Sequence, residues 1–208
     1  MGNGSEKKKE NRKEEKLMFK ILSALIISLV AATAAYAGET DSVRFMYSIV
    51  DNKNDTYGQR YAVKWEKDLP SDWAVDARGS VTKNNTTDAL SSSFEVGTSK
   101  KFRLDRTNTV YVRPEIGNSM RSGFNTDYYG GIEIGYITRP LPLIDDNIKL
   151  KIDHAWIRGI DNDRLDGTLS RLQATYDLTN TISVGPRFEM RRGNVETDAY
   201  TLVLTSKF

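Results

Sequence analysis

The sequence predicts an all-β fold: a closed antiparallel transmembrane β-barrel of about ten strands, with eight and twelve as alternatives. Three observations carry that expectation. From Ser42 to Phe208 the chain alternates apolar and polar residues in short segments split by turn residues, with no helical period. After residue 37 no apolar run approaches the roughly 20 residues that a membrane helix needs. The aromatic residues of the apolar phase also gather into two rings.

The segments follow in order. The first has Val43, Phe45, Tyr47 and Ile49 on one face and stops at Asp51-Asn52-Lys53-Asn54-Asp55. The second has Tyr61, Val63 and Trp65 and ends at Leu69-Pro70-Ser71-Asp72; the third has Trp73, Val75, Ala77 and Val81. The fourth, with Leu90, Ser92, Phe94 and Val96, is the least apolar. Val110, Val112 and Ile116 mark the fifth, and Tyr128, Ile132, Ile134 and Tyr136 the sixth. Ile148, Leu150, Ile152 and Trp156 mark the seventh, and Leu172, Ala174 and Tyr176 the eighth. Ile182, Val184, Phe188 and Met190 mark the ninth, and Tyr200, Leu202, Leu204 and Phe208 the last. Pro114 and Pro186 interrupt the fifth and ninth, where a closed sheet has no edge to hide a missing N–H, so a β-bulge is expected at each.

Alternation alone fits a barrel in lipid or a sandwich in water; the aromatics separate them. With the N-terminus in the periplasm, Trp65, Trp73, Tyr136, Tyr176 and Phe208 fall at the periplasmic end of the apolar face. Tyr61, Tyr128, Trp156, Phe188 and Tyr200 fall at the outer end. Amphipathic rings settle at headgroup depth, so two such belts around an aliphatic band are what a membrane selects. A sheet in hydrocarbon has to close, because lipid offers no partner for an unpaired backbone group.

Two domains are expected: residues 1–37, an N-terminal extension with a cleavable signal peptide, and residues 38–208, the barrel. Ile21 to Ala35 is an apolar run preceded by Lys16 and Lys20 and followed by an A-x-A site, Ala35-Tyr36-Ala37. The first 17 residues are long and half acidic for a leader, which suggests translation from Met18. The leader takes seven of the 30 Lys/Arg and four of the 28 Asp/Glu, leaving 23 basic and 24 acidic residues. Near-neutrality argues against a general nucleic-acid surface. The absence of cysteine excludes a disulfide scaffold. A mean hydropathy of −0.52 is compatible with a barrel whose polar lumen offsets its lipid face.

The opposite phase supplies the candidate interior. Arg44, Arg60, Lys64, Arg78, Arg113, Lys149, Lys151, Arg171, Arg187, Arg191 and Lys207 point inward, against Glu66, Asp76, Glu95, Glu115, Glu133, Asp153 and Glu189. They imply either a salt-bridged, side-chain-filled interior or a thin basic passage for small hydrophilic, anionic solutes. Gly131, Gly135, Ala155 and Gly185 leave room inside. No P-loop, nucleotide fingerprint, metal cluster or cofactor site is apparent. The one histidine, His154, falls on the lipid phase, away from Asp153, so an enzyme is not expected. Outer loops at 51–58, 83–89, 117–126, 159–168 and 192–198 are short for an adhesin. The acidic Asp161–Asp166 segment reads as a solvated turn rather than a Ca²⁺ site.

The terminal strand, Tyr200 to Phe208, resembles the C-terminal targeting strand of Gram-negative outer-membrane β-barrels. That resemblance, covering residues 18–208, implies an outer-membrane location. It also implies lipid and lipopolysaccharide as surroundings, and reading of the strand ending in Phe208 by the barrel-assembly machinery. Arg113-Pro114-Glu115 and Gly185-Pro186-Arg187-Phe188-Glu189, with short loops and an arginine-rich interior, resemble the small oligogalacturonate-type porins, usually twelve-stranded. They imply a narrow porin-like channel for passive diffusion.

Overall fold

The computed structural model describes residues 41–52, 56–121, 126–139 and 147–208. The expected leader, its cleavage site and Met18 lie outside the described residues. Ten strands form: β1 (Asp41–Asn52), β2 (Thr56–Leu69), β3 (Trp73–Asn84), β4 (Leu90–Arg103), β5 (Asn108–Arg121), β6 (Thr126–Thr138), β7 (Ile148–Gly159), β8 (Gly167–Asp177), β9 (Ile182–Gly193) and β10 (Thr197–Lys207). They run longer than the sequence segments because the alternation continues past the apolar residues into polar ones.

The sheet closes. Each strand pairs antiparallel with its chain neighbours, and β1 pairs with β10 from Ser42↔Lys207 to Asn52↔Thr197. The seam is finished by the Phe208 N–H, which donates to the Asp41 carbonyl at 2.9 Å. Followed once around, the registers return to β1 displaced by about twelve residues, a stagger that tilts ten strands by about 40° around a backbone radius of about 10 Å.

The prolines are accommodated without bulges, contrary to the sequence expectation. Gly97↔Glu115 and Lys100↔Val112 share one register in β4–β5, and only the positions between them are unpaired. Gln173↔Arg187 and Tyr176↔Val184 bracket the same kind of gap in β8–β9. On its other side each proline stays in the ladder, at Pro114↔Ile132 and Leu202↔Pro186. A ring nitrogen removes one donor, and the strand stays in step without an extra residue.

The outward face carries the aromatics. Trp73, Tyr136, Tyr176 and Phe208 are exposed near the end where Asp41 and Phe208 meet, here called the terminal end, with Trp65 half-buried above them. Trp156, Tyr200, Tyr61 and Tyr128 are exposed further along, beside half-buried Phe188. Phe188 and Tyr200 pack with ring centroids 5.2 Å apart. This second ring sits inside the strand ends rather than at them: Tyr61 pairs with Tyr47, and β1 continues to Asp51 and Asn52. Beyond it the outward phase is mixed, with Gln59, Lys83, Arg158 and Asp198 beside exposed Tyr57 and Met120. The apolar band between the collars is thus about 20–25 Å tall, the height of a membrane's oil layer for this architecture. The three tryptophans sit on outward faces of β2, β3 and β7, not in a common core.

His154 keeps the outward phase in an unbroken ladder, so no bulge turns it inward. Its Nδ1 lies 2.8 Å from the Ser170 hydroxyl across the β7–β8 pair, and Trp156 meets the ring edge-on at 4.6 Å. A polar group facing lipid needs such a partner.

Described connections are short. At the terminal end, Pro70–Asp72 joins β2 to β3, with Ser71 and Asp72 both at φ 60°. At the distal end, residues 160–166 carry a 3₁₀ turn, Asp163–Leu165, that drops Leu165 into the barrel mouth, where it is 4% exposed against Tyr129, Ala155 and Ile157.

Candidate functional site

The candidate interior residues keep the inward phase of their strands, and half of them are tied into one ionic layer at mid-height of the barrel. Arg113 on β5 is its hub. Its Nε and Nη2 grip Asp76 of β3 at 2.8 and 2.6 Å, and Nη2 also donates to Glu95 of β4 at 2.7 Å. Nη1 donates to Glu115 on its own strand and, at 3.3 Å, to Glu133 of β6. The guanidinium thus binds carboxylates from four strands while only 2% exposed. Arg171 extends the layer, donating to Asp153 and Glu133, and Lys151 stands 3.3 Å from Asp153. Lys64 reaches Asp76 at 3.3 Å.

The glycines decide how these side chains lie. Asp76 and Arg113 are two strands apart, and Gly97 of β4 lies between them. A Cβ there would stand 2.6 Å from the Arg113 guanidinium, so only glycine lets the arginine lie flat along the wall. Gly117 does the same for Tyr129, whose hydroxyl donates to Glu95 at 3.0 Å. The Tyr111 ring lies over Gly135 and donates to Glu133, and Glu115 crowds Gly131. The room that Gly131 and Gly135 leave on the inner wall is filled by these neighbours.

Below the layer, at the terminal end, lies a cavity of about 450 Å³. Arg44, Lys64, Lys101, Arg113, Lys149, Lys151 and Lys207 line it against Asp41, Glu66, Asp68, Asp76 and Glu133. Glu66 is shared by Arg44 at 3.1 Å, Lys64 at 3.5 Å and Lys101 at 3.5 Å, while Lys149 bonds Asp177. Lys101 and Tyr111 are interior residues that the sequence segments missed. Lys101 was hidden because β4 runs seven residues past Val96, through Thr98 and Lys100 on the outward phase. Lys100 stays outside, its ammonium 5.4 Å from the centre of the Trp73 ring.

The opposite wall is charged differently. Arg60 reaches Glu189 at 2.7 Å, and Arg187 also donates to Glu189. Arg191 donates to the Leu165 carbonyl at 2.9 Å, tying the mouth turn to β9. Arg78 lies one strand from Arg60 and cross-strand from both Lys64 and Glu95.

No protein-family model and no curated protein matches the chain. Solved structures do match it. The β domain of the Bordetella autotransporter BrkA is 7% identical with a TM-score of 0.56, over 81% of this chain and 99% of that one. The NanC porin is 10% identical with a TM-score of 0.50, over 80% and 100%. The KdgM porin, solved in complex with disordered oligogalacturonate, is 9% identical with a TM-score of 0.49, over 80% and 99%. At such identities the likeness is one of fold: the chain has the architecture of outer-membrane β-barrels, a class that includes porins and barrels of other kinds.

Proposed function

We propose that this protein is a structural β-barrel of a Gram-negative outer membrane, with its termini in the periplasm and an interior sealed at mid-height by ion pairs. The observation that carries this reading is Arg113, bound to carboxylates of β3, β4, β5 and β6 and almost wholly removed from solvent. A barrel of ten strands is narrow enough for its own side chains to fill. The aromatic belts anchor it at the two headgroup layers among phospholipid and lipopolysaccharide. The terminal strand, ending at Phe208 on the seam, is what the barrel-assembly machinery would read. No enzymatic role is assigned, since the interior acids and bases bind one another and His154 faces outward.

A second reading has one observation in its favour. The terminal cavity sets seven cations against five carboxylates, which suits a narrow porin-like channel for small anionic solutes. Liposome swelling separates the two. Purified protein in vesicles loaded with an impermeant polymer is diluted into isotonic arabinose or gluconate. The sealed reading requires no swelling beyond protein-free vesicles; swelling faster in gluconate than in a cationic solute supports the channel.

A further inference from the structure

The interior is electrically lopsided. Around Arg113 and Arg171 the acids outnumber the guanidinium groups. On the wall formed by β9, β10, β1, β2 and β3 four arginines, Arg60, Arg78, Arg187 and Arg191, stand near one contacting carboxylate, Glu189. Glu189 can neutralise one positive charge. It accepts from Arg60 and Arg187, Arg191 is left with a backbone carbonyl, and Arg78 makes no ion pair within 4.0 Å among the described residues.

Two further observations point to a ligand. The Nε atoms of all four arginines are buried and lack a hydrogen-bond partner among the described residues. A buried donor on a charged group is costly to leave unmatched. The wall between them is also built of small side chains, Ser48, Ala62, Ser80, Ala199 and Thr201, over which the four arginines lie partly buried, the side chains of Arg60 and Arg187 only 16% and 10% exposed.

We propose that these four arginines form a binding site for a compact phosphate-type oxyanion in the distal half of the lumen. Planar guanidinium forks match the oxygens of a tetrahedral anion two at a time, which a lone carboxylate cannot supply to four of them. Ser48, already 3.4 Å from Arg60 and 2.8 Å from Thr201, offers a hydroxyl at the same wall. The site runs from the level of the ionic layer, where Arg78 stands cross-strand from Lys64 and Glu95, towards Arg60 and Arg191 nearer the distal mouth, so it holds an anion entering from that side. Binding there does not depend on whether the barrel conducts.

The test uses the full chain refolded in detergent micelles. Calorimetric titration with inorganic phosphate and with pyrophosphate is compared with chloride and with galacturonate at matched ionic strength. Both phosphate probes should bind while chloride gives only dilution heat. Arg78→Gln and Arg191→Gln should each weaken binding about tenfold. Without phosphate, Arg78→Gln should unfold no earlier than the wild type, because it removes a repelling charge; a purely structural arginine would give the reverse. Phosphate heats equal to those of chloride, undiminished binding in both folded variants, or tighter binding of galacturonate would each overturn the proposal. Conductance recorded on the same preparation keeps this outcome separate from the sealed-barrel reading.

Discussion

Arg113 and Asp76 meet as a two-pronged pair across an intervening strand, with Nε and Nη2 at 2.8 and 2.6 Å from the two carboxylate oxygens. They come from β5 and β3, so their contact bridges the inner wall across β4 and ties the ionic layer together.

Removing the hub should cost more than removing one spoke. Arg113→Met leaves Asp76, Glu95, Glu115 and Glu133 without their common cation and should lower unfolding free energy by about 3–5 kcal/mol. Asp76→Asn should cost less, since the guanidinium keeps three carboxylates. Urea unfolding in micelles measures both. Equal, small losses would mean that the layer is held by the wall and not by Arg113.

Gly97→Ala tests the geometry without touching a charge. The new Cβ would overlap the guanidinium, which is pinned by its partners and cannot swing aside cheaply. A loss of about 2–4 kcal/mol and earlier loss of heat-modifiable gel mobility are expected. Gly79→Ala is the control, because a Cβ there meets nothing within 4 Å.

How much of this was legible beforehand follows from the period of a strand. Because side chains alternate strictly, the phase of Val110 and Val112 fixes Arg113 and Glu115 inward, and the closed ten-strand sheet follows from such phases and the turns between them. Partner choice is not encoded in phase. Asp76 and Arg113 stand 37 residues apart, and their meeting depends on the register of two ladders and on Gly97 in the strand between. The mouth turn is solvated at residues 161–164, as its acidic sequence implies, but nothing local marks Leu165 as reaching Ile157. Pro114 and Pro186 misled because a missing donor was equated with a shifted register.

The turn before β3 holds two non-glycine residues in left-handed backbone, Ser71 and Asp72, each at φ 60°. Aspartate tolerates that region better than serine. Ser71→Gly should therefore raise stability by about 0.5–1 kcal/mol, read as a higher urea midpoint with unchanged slope.

The turn between β4 and β5 is organised by Asp105. Its carboxylate accepts from the Asn108 side chain at 2.7 Å, from the Thr107 N–H at 2.7 Å and hydroxyl at 2.9 Å, and from the Asn108 N–H at 2.8 Å. These bonds, the Asn108 side chain first among them, hold its pKa down from 3.8 to about 2. A depressed carboxyl stabilises the fold above its ordinary pKa, and that contribution disappears as pH falls through about 2. Carboxyl-carbon NMR should place the Asp105 midpoint near the low value, and Asn108→Ala should raise it. A midpoint at the ordinary aspartate value in the intact protein would remove this turn from the account.

Single-channel recording in planar bilayers bears most directly on the ionic layer. Wild-type protein should insert without resolvable conductance steps, and Arg113→Met should produce them once the carboxylates of β3 to β6 lose the cation that holds them together. Steady, uniform steps from the wild type, unchanged by Arg113→Met, would contradict a sealed interior.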